Sequence, residues 1–342
     1  MDQFTAHLDR GWDLVQRGDS EGAELSARRA LELDSQSPEA YNLLGYVAAL
    51  QGEFEEAVDN YRQAIALDDT YLEAMLNAAE VYIHPLGDFE EAIRMCDHAL
   101  DLAENDDEVI DALLLEFDAL LGDNNLAEAQ ALCSKFPPGP WTNPNHAFLV
   151  GRAFYEIGEL ERAAPLIEDA VQKTPGNPEA AYYLGLVRDE RGDTAGATQA
   201  FLRSRELDLA LPSPAWTLTP ETFAMTAKKA LASLDESLRR FLREDELFVS
   251  NVPGVEVVVD GVDPRALLLL DGLDAESGGP PTARIFVYQR NVERLAGSLE
   301  LVEGEIKAAL EREVTATFIE TDLDRLAAAA AAANAAGKMP LN

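Results

Sequence analysis

The chain has 342 residues, 47% of them hydrophobic, which suits a folded protein of two domains and excludes a disordered one. Its formal charge of -36 repels phosphate backbones and anionic lipid, so neither nucleic acid nor a membrane surface is an expected partner. A soluble, self-repelling surface accounts for that charge, and a basic protein or peptide partner also fits it.

The N-terminus, "MDQFTAHLDRGWDLVQRGD", lacks the basic start and apolar core of a secretory signal. No window is apolar for long enough to cross a bilayer, so no membrane insertion is expected. Cys96 and Cys133 lie far apart and form no CxxC pair, which points to a reducing, cytoplasmic setting. Both fall four residues after a second-helix alanine (Ala92, Ala129), where Tyr61 stands in a neighbouring unit, and they are expected to fill core space.

From the start of the chain, small residues recur with a fixed period. Gly11, Gly18, Ala23, Ala30 and Leu33 return 34 residues later as Gly45, Gly52, Ala57, Ala64 and Leu67. The set returns again as Gly151, Gly158, Ala163 and Ala170, and then as Gly185, Gly192 and Ala197. The clearest copies are "PEAYNLLGYVAALQGEFEEAVDNYRQAIALDD" from Pro38 and "PEAAYYLGLVRDERGDTAGATQAFLRSRELD" from Pro178. Six units follow: 4–37, 38–71, 72–107, 108–143, 144–177 and 178–211. Each reads as two antiparallel helices in which glycine and alanine allow close backbone approach, while Tyr41, Leu44, Phe54 and Tyr61 fill the gaps. Gly18, Gly52, Gly158 and Gly192 end first helices, where a left-handed residue is wanted. His84-Pro85 must stop or kink one first helix, and "KFPPGPWTNPN" closes the fourth unit.

This pattern resembles the tetratricopeptide repeat. The resemblance implies an all-α superhelix over residues 4–211, whose concave side holds an extended peptide or a partner's helix. By the family's geometry, the groove-facing residues are Asn42, Tyr46, Phe148, Arg152, Tyr155, Tyr182 and Asp189. The Lys and Asn clamp by which some family members grip a carboxylate tail is absent, since those positions carry Asn42 with Tyr46 and Phe148 with Arg152.

The period stops after "LPSPAW", and residues 212–218 read as a linker. Thr219-Pro220-Glu221 is an N-cap signal for an amphipathic helix, "ETFAMTAKKALASLDESLRRFLRE". "GVEVVVDGVDP" is β-rich, "GLDAESGGPPTA" is a loop, and "RIFVYQRN" reads as a second strand. From Glu300 to about Ile319, Val302, Ile306, Leu310 and Val314 fall at helical spacing. The outcome is a small α+β domain over 219–326, followed by an alanine-rich tail, 327–342, with no assigned role.

The order of these pieces, with "VYQRNVER" and the acidic helix after it, resembles the minimal zinc metallopeptidase-like family of small zincins. That family carries HExxHxxGxxD: two histidines one helical turn apart bind zinc, the glutamate is the general base, and glycine turns the chain toward a third ligand. Aligned on Glu313, Arg312 and Ala316 replace the two histidines, Ile319 replaces the glycine, and only Glu313 and Asp322 remain. Arginine cannot give up its proton to bind a metal, and alanine has no donor atom. The four histidines, His7, His84, His98 and His146, all lie in the repeats. The resemblance therefore implies a degenerate, non-catalytic domain with no metal or other cofactor. If the helix keeps the family's register, Glu313 falls on the inward stripe of Val302, Ile306 and Ala309 with Arg312 bent back toward it; the alternative is that both lie at the helix edge in water. No GxSxG, P-loop, GxGxxG or calcium loop offers another chemistry.

The sequence thus predicts an interaction scaffold, with the repeat groove as the main binding surface and the second domain as a further surface or a cap. The alternative is a zinc-dependent peptidase with unusual ligands and Glu313 as base.

Overall fold

A computed structural model of the chain describes residues 2–273 and 281–320. The alanine-rich tail, Asp322 and most of the loop predicted between the last two strands lie outside these residues. The chain divides into two compact units, 1–175 and 176–342. The repeat period ends at 211, but this division falls one unit earlier, so the sixth helix pair belongs with the C-terminal region.

The first unit holds five antiparallel pairs: α1 (Gln3–Gln16) with α2 (Ser20–Leu33), α3 (Pro38–Gln51) with α4 (Phe54–Leu67), α5 (Leu72–Val81) with α6 (Phe89–Leu102), α7 (Asp106–Gly122) with α8 (Leu126–Leu132), and α9 (His146–Glu156) with α10 (Leu160–Lys173). Local chemistry starts and stops them. Asp19, Ser37 and Asn105 cap helix N-termini by accepting backbone N–H bonds, and Pro38 opens α3 where its missing N–H costs nothing. Gly18, Gly52 and Gly158 adopt positive φ of 75°, 80° and 79° after first helices, as expected. Pro85 does end a first helix: His84 leaves helical geometry, and Gly87 closes the turn with φ 66°.

Packing follows from residue size. Gly45 lets α4 approach so closely that a Cβ there would lie 2.6 Å from the Tyr61 ring, and Tyr61 is fully buried. Cys96 and Cys133 are both unpaired and buried, filling core space as predicted.

The second unit begins with the sixth pair, α11 (Pro178–Glu190) and α12 (Thr194–Ala210). Then come α13 (Pro220–Ala232), α14 (Glu236–Arg239), β1 (Leu242–Ser250), α15 (Val255–Val259), β2 (Leu268–Leu273), β3 (Thr282–Tyr288), α16 (Gln289–Ala296) and α17 (Val302–Val314), with a π-helical turn at Thr315–Glu320. The three-stranded sheet has the order β1-β3-β2, with β3 parallel to β1 and antiparallel to β2. Its inner face (Leu268, Ala283, Ile285, Val287) shares one core with Phe223, Ala227, Leu231, Ile306, Leu310 and Val314 of α13 and α17.

Three expectations are corrected here. The predicted amphipathic helix ends at Ala232, because Asp235 caps a new short helix and the chain then extends into β1. "VEVVV" is helical, not extended, despite its β-branched valines. Strand β3 stops at Tyr288, and Gln289 to Asn291 already belong to α16.

Candidate functional site

In the first unit, a groove of ≈ 420 Å³ runs across three first helices. Leu76, Asn77 and Glu80 of α5, Asp111, Leu114, Leu115 and Asp118 of α7, and Leu149 and Arg152 of α9 line it. A second hollow shares Asn77 and Glu80 and continues to Tyr46, Leu50 and Phe54 of the neighbouring pair. Tyr46 and Glu80 share one repeat position on α3 and α5, and Asp118 and Arg152 share one on α7 and α9. This is legible from the chain: Glu80 follows Tyr46, and Arg152 follows Asp118, by one 34-residue period.

Two polar arrangements fix the groove floor. Arg152 donates to both carboxylate oxygens of Asp118, at 2.9 and 3.0 Å. His146, fully buried at the start of α9, places its ring nitrogens 3.2 Å from Asp107 and 2.9 Å from Asp111, one turn apart on α7.

The predicted contact residues meet different fates. Tyr46 and Arg152 line these hollows, Tyr155 is half-buried on α9, and Asp189 is exposed on α11. Asn42 does not face a partner: it is fully buried, donating to the Tyr71 hydroxyl and Glu73 at 3.2 Å each and accepting from Asn77 at 3.0 Å. Phe148 is also buried. Tyr182 is engaged within its own unit: its hydroxyl donates to Asp263 at 2.7 Å and the Arg265 guanidinium lies 4.4 Å from its ring centroid. The chain signals passed over were Asn77, Glu80, Asp111 and Asp118, since the two irregular units carry Ala79 and Phe117 in place of the first-helix glycine and Gly87 is shifted from the period by one residue.

At the positions aligned with the zincin motif, no group of three metal-ligating side chains comes together among the described residues. Arg312 and Ala316 are exposed, and Arg312 Nε sits 3.2 Å from Glu313 Oε1. Glu313 is not on the inward stripe: its side chain is 40% exposed, and Val314 takes the buried place. Packing in the core beneath the sheet favours valine there, because a carboxylate would lose its water without gaining a partner. One carboxylate held by an arginine is not a donor set for zinc. Asp322 lies outside the described residues.

The "QRNVER" segment instead has structural work. Gln289 and Glu293, both buried, bind the carbonyl oxygen and N–H of Leu218 at 2.8 and 3.1 Å, holding the 212–218 linker. Asn291 donates to the carbonyls of Pro264 and Ala266. Arg290 donates to the Leu209 carbonyl at the end of α12.

With this geometry in view, the chain carries tetratricopeptide repeats. One sequence model of that repeat matches residues 8–71 and 149–208, and a second matches 48–114. Proteins with such repeats are in general protein-interaction scaffolds.

Among solved structures, Pseudomonas aeruginosa PilF is similar at 20% identity and TM-score 0.52, covering 61% of this chain and 93% of its own. YrrB, a tetratricopeptide protein with an unusual peptide-binding site, aligns at 19% identity and TM-score 0.40 over 54% of this chain and 93% of its own. A tetratricopeptide protein of Thermus thermophilus aligns at 17% identity and TM-score 0.43 over 54% of this chain and 98% of its own. The likeness to PilF shows the fold of the repeats alone. No curated protein matches the chain. No helix among the described residues is long and apolar enough to cross a membrane.

Proposed function

We propose that the chain is a non-catalytic interaction scaffold whose first unit takes a basic peptide or helix of a protein partner along the ladder Tyr46, Glu80, Asp118 and Arg152. The observation that carries this reading is the ladder itself. An aromatic ring and two carboxylates stand on successive first helices, over apolar Leu76, Leu115 and Leu149. Cationic side chains of a ligand would meet Glu80 and Asp111, while its apolar residues would cover the leucines. The formal charge of -36 would speed capture of a basic partner and makes nucleic acid an unsuitable one. Two free, buried cysteines fit a cytoplasmic setting.

The C-terminal domain enters this proposal as a degenerate relative of the small zincins without metal or catalysis. Support comes from Arg312 and Ala316 at the histidine positions and from the Arg312–Glu313 pair. Elemental analysis after chelator-free purification tests that part, and about one tightly held zinc per chain would overturn it.

The groove is tested by selecting binders to the full chain from a randomised peptide library. Selected peptides should be rich in Lys and Arg, and Glu80→Gln should weaken them about tenfold or more. Peptides without basic bias, or with equal affinity for the variant, would sink the proposal.

A further inference from the structure

In the regular repeats, each second helix packs on the first helix of the following pair: α2 on α3, and α4 on α5. The fifth residue of a first helix makes the polar part of that contact. Asn42, fifth in α3, reaches Tyr71 and Glu73 where the next first helix begins. Tyr182 is the fifth residue of α11, in the same register from Pro178 as Asn42 from Pro38. Among the described residues no seventh pair follows it, yet Tyr182 makes the corresponding contacts, to Asp263 and Arg265. Helix α12 likewise packs on a helix, the short α15.

We infer that the C-terminal domain is a terminal cap for the sixth pair, with α15 and the Asp263–Arg265 turn standing where the first helix of a seventh repeat would stand. This function is independent of any ligand in the first unit. The contact is built as an interior and not as a tether. Arg265 has 10% of its side chain exposed and pairs with Glu179 at 2.7 Å and Asp208 at 3.1 Å. Asp208, 11% exposed, also receives Arg294 at 3.0 Å. Arg205 donates to the Pro253 carbonyl at 2.7 Å, just before α15, and Arg290 donates to the carbonyls of Leu209, in the last turn of α12, and Leu211, its C-cap. Thus both ends of the α15 segment and the end of α12 are held by charged donors.

The cap also explains the helical "VEVVV". Repeat proteins must close their last apolar face, since an open end invites stacking with another chain. At this position a helix, not a strand, matches the groove that α12 presents. Val258 is buried there, and the intrinsic preference of β-branched residues for strands is overridden by that packing.

Hydrogen exchange on the full chain tests this. In denaturant, α11 and α12 should open together with β1, β3 and α17, as one cooperative unit. In Arg265→Ala, exchange in α12 should rise about tenfold or more, with α3 and α4 unchanged, because removing one partner of a buried pair strands the other. Should that variant lose protection throughout the chain, the milder Asp263→Asn decides by the same comparison. Unchanged α12 exchange in the deciding variant, or separate opening of α12 and the sheet in the native chain, would overturn the cap and leave an independent module.

Discussion

Arg152 of α9 spans to Asp118 of α7 with both hydrogen bonds made from one guanidinium nitrogen, at 2.9 and 3.0 Å, on the lining of the first-unit groove. Both side chains are about one-third exposed, so the pair contributes less than about 1 kcal/mol to folding. Its main effect is to occupy a carboxylate that a cationic ligand would otherwise reach. Arg152→Ala should therefore strengthen binding of a basic peptide while shifting stability little. Titration calorimetry with a library-selected peptide, beside a urea melt, checks both; weaker binding would mean that Arg152 itself touches the ligand.

Glycine substitutions should separate packing from backbone freedom. A Cβ at Gly45 would lie 2.6 Å from the Tyr61 ring and 3.0 Å from the Ala57 carbonyl, so Gly45→Ala should cost about 1–3 kcal/mol. Gly304, inside α17, has nothing within 4 Å of its added Cβ. There, alanine should stabilise by about 0.5–1 kcal/mol through helix propensity. Denaturant midpoints of opposite sign are the expected result, and loss of stability in both variants would refute the distinction.

Burial pushes the Cys96 thiol up to about 12 and the Cys133 thiol up to about 11, so almost no thiolate exists near neutral pH. Both should resist an aromatic disulfide reagent in the native chain and react fully once it is unfolded. Rapid native labelling of either would place it in a site that opens.

Glu116 of α7 is buried, with one carboxylate oxygen lacking a protein partner. Burial, aided by Asp97 and Glu128 and opposed by Lys135, raises its carboxyl above the ordinary range. The folded chain then holds this proton more tightly than the unfolded chain. The resulting penalty is absent in acid and appears as pH rises from the ordinary carboxylate range through the folded value. Glu116→Gln should stabilise the protein by about 1 kcal/mol at neutral pH, with the gain vanishing in acid. Urea melts of both proteins across that range give the answer, and a gain that persists in acid would assign the effect to packing.

The repeats were legible in the chain because their period is a packing requirement. Gly45, Ala57 and Ala64 recur where backbones touch, and Gly52 and Gly158 where a helix must end left-handed, so local chemistry and tertiary contact demand the same residue. That all four histidines lie in the repeats was equally plain from the chain. Tertiary structure alone decided which side chains remain available. Asn42 and Tyr182 hold the same repeat position, yet the first is buried by the following helix and the second is covered by a turn more than eighty residues further along the chain. It also decided that "VEVVV" coils against α12 and that Glu313 yields the inward place to Val314. Periodicity records which residues meet their neighbours in the chain; what distant segments cover is set only when the whole unit closes on itself.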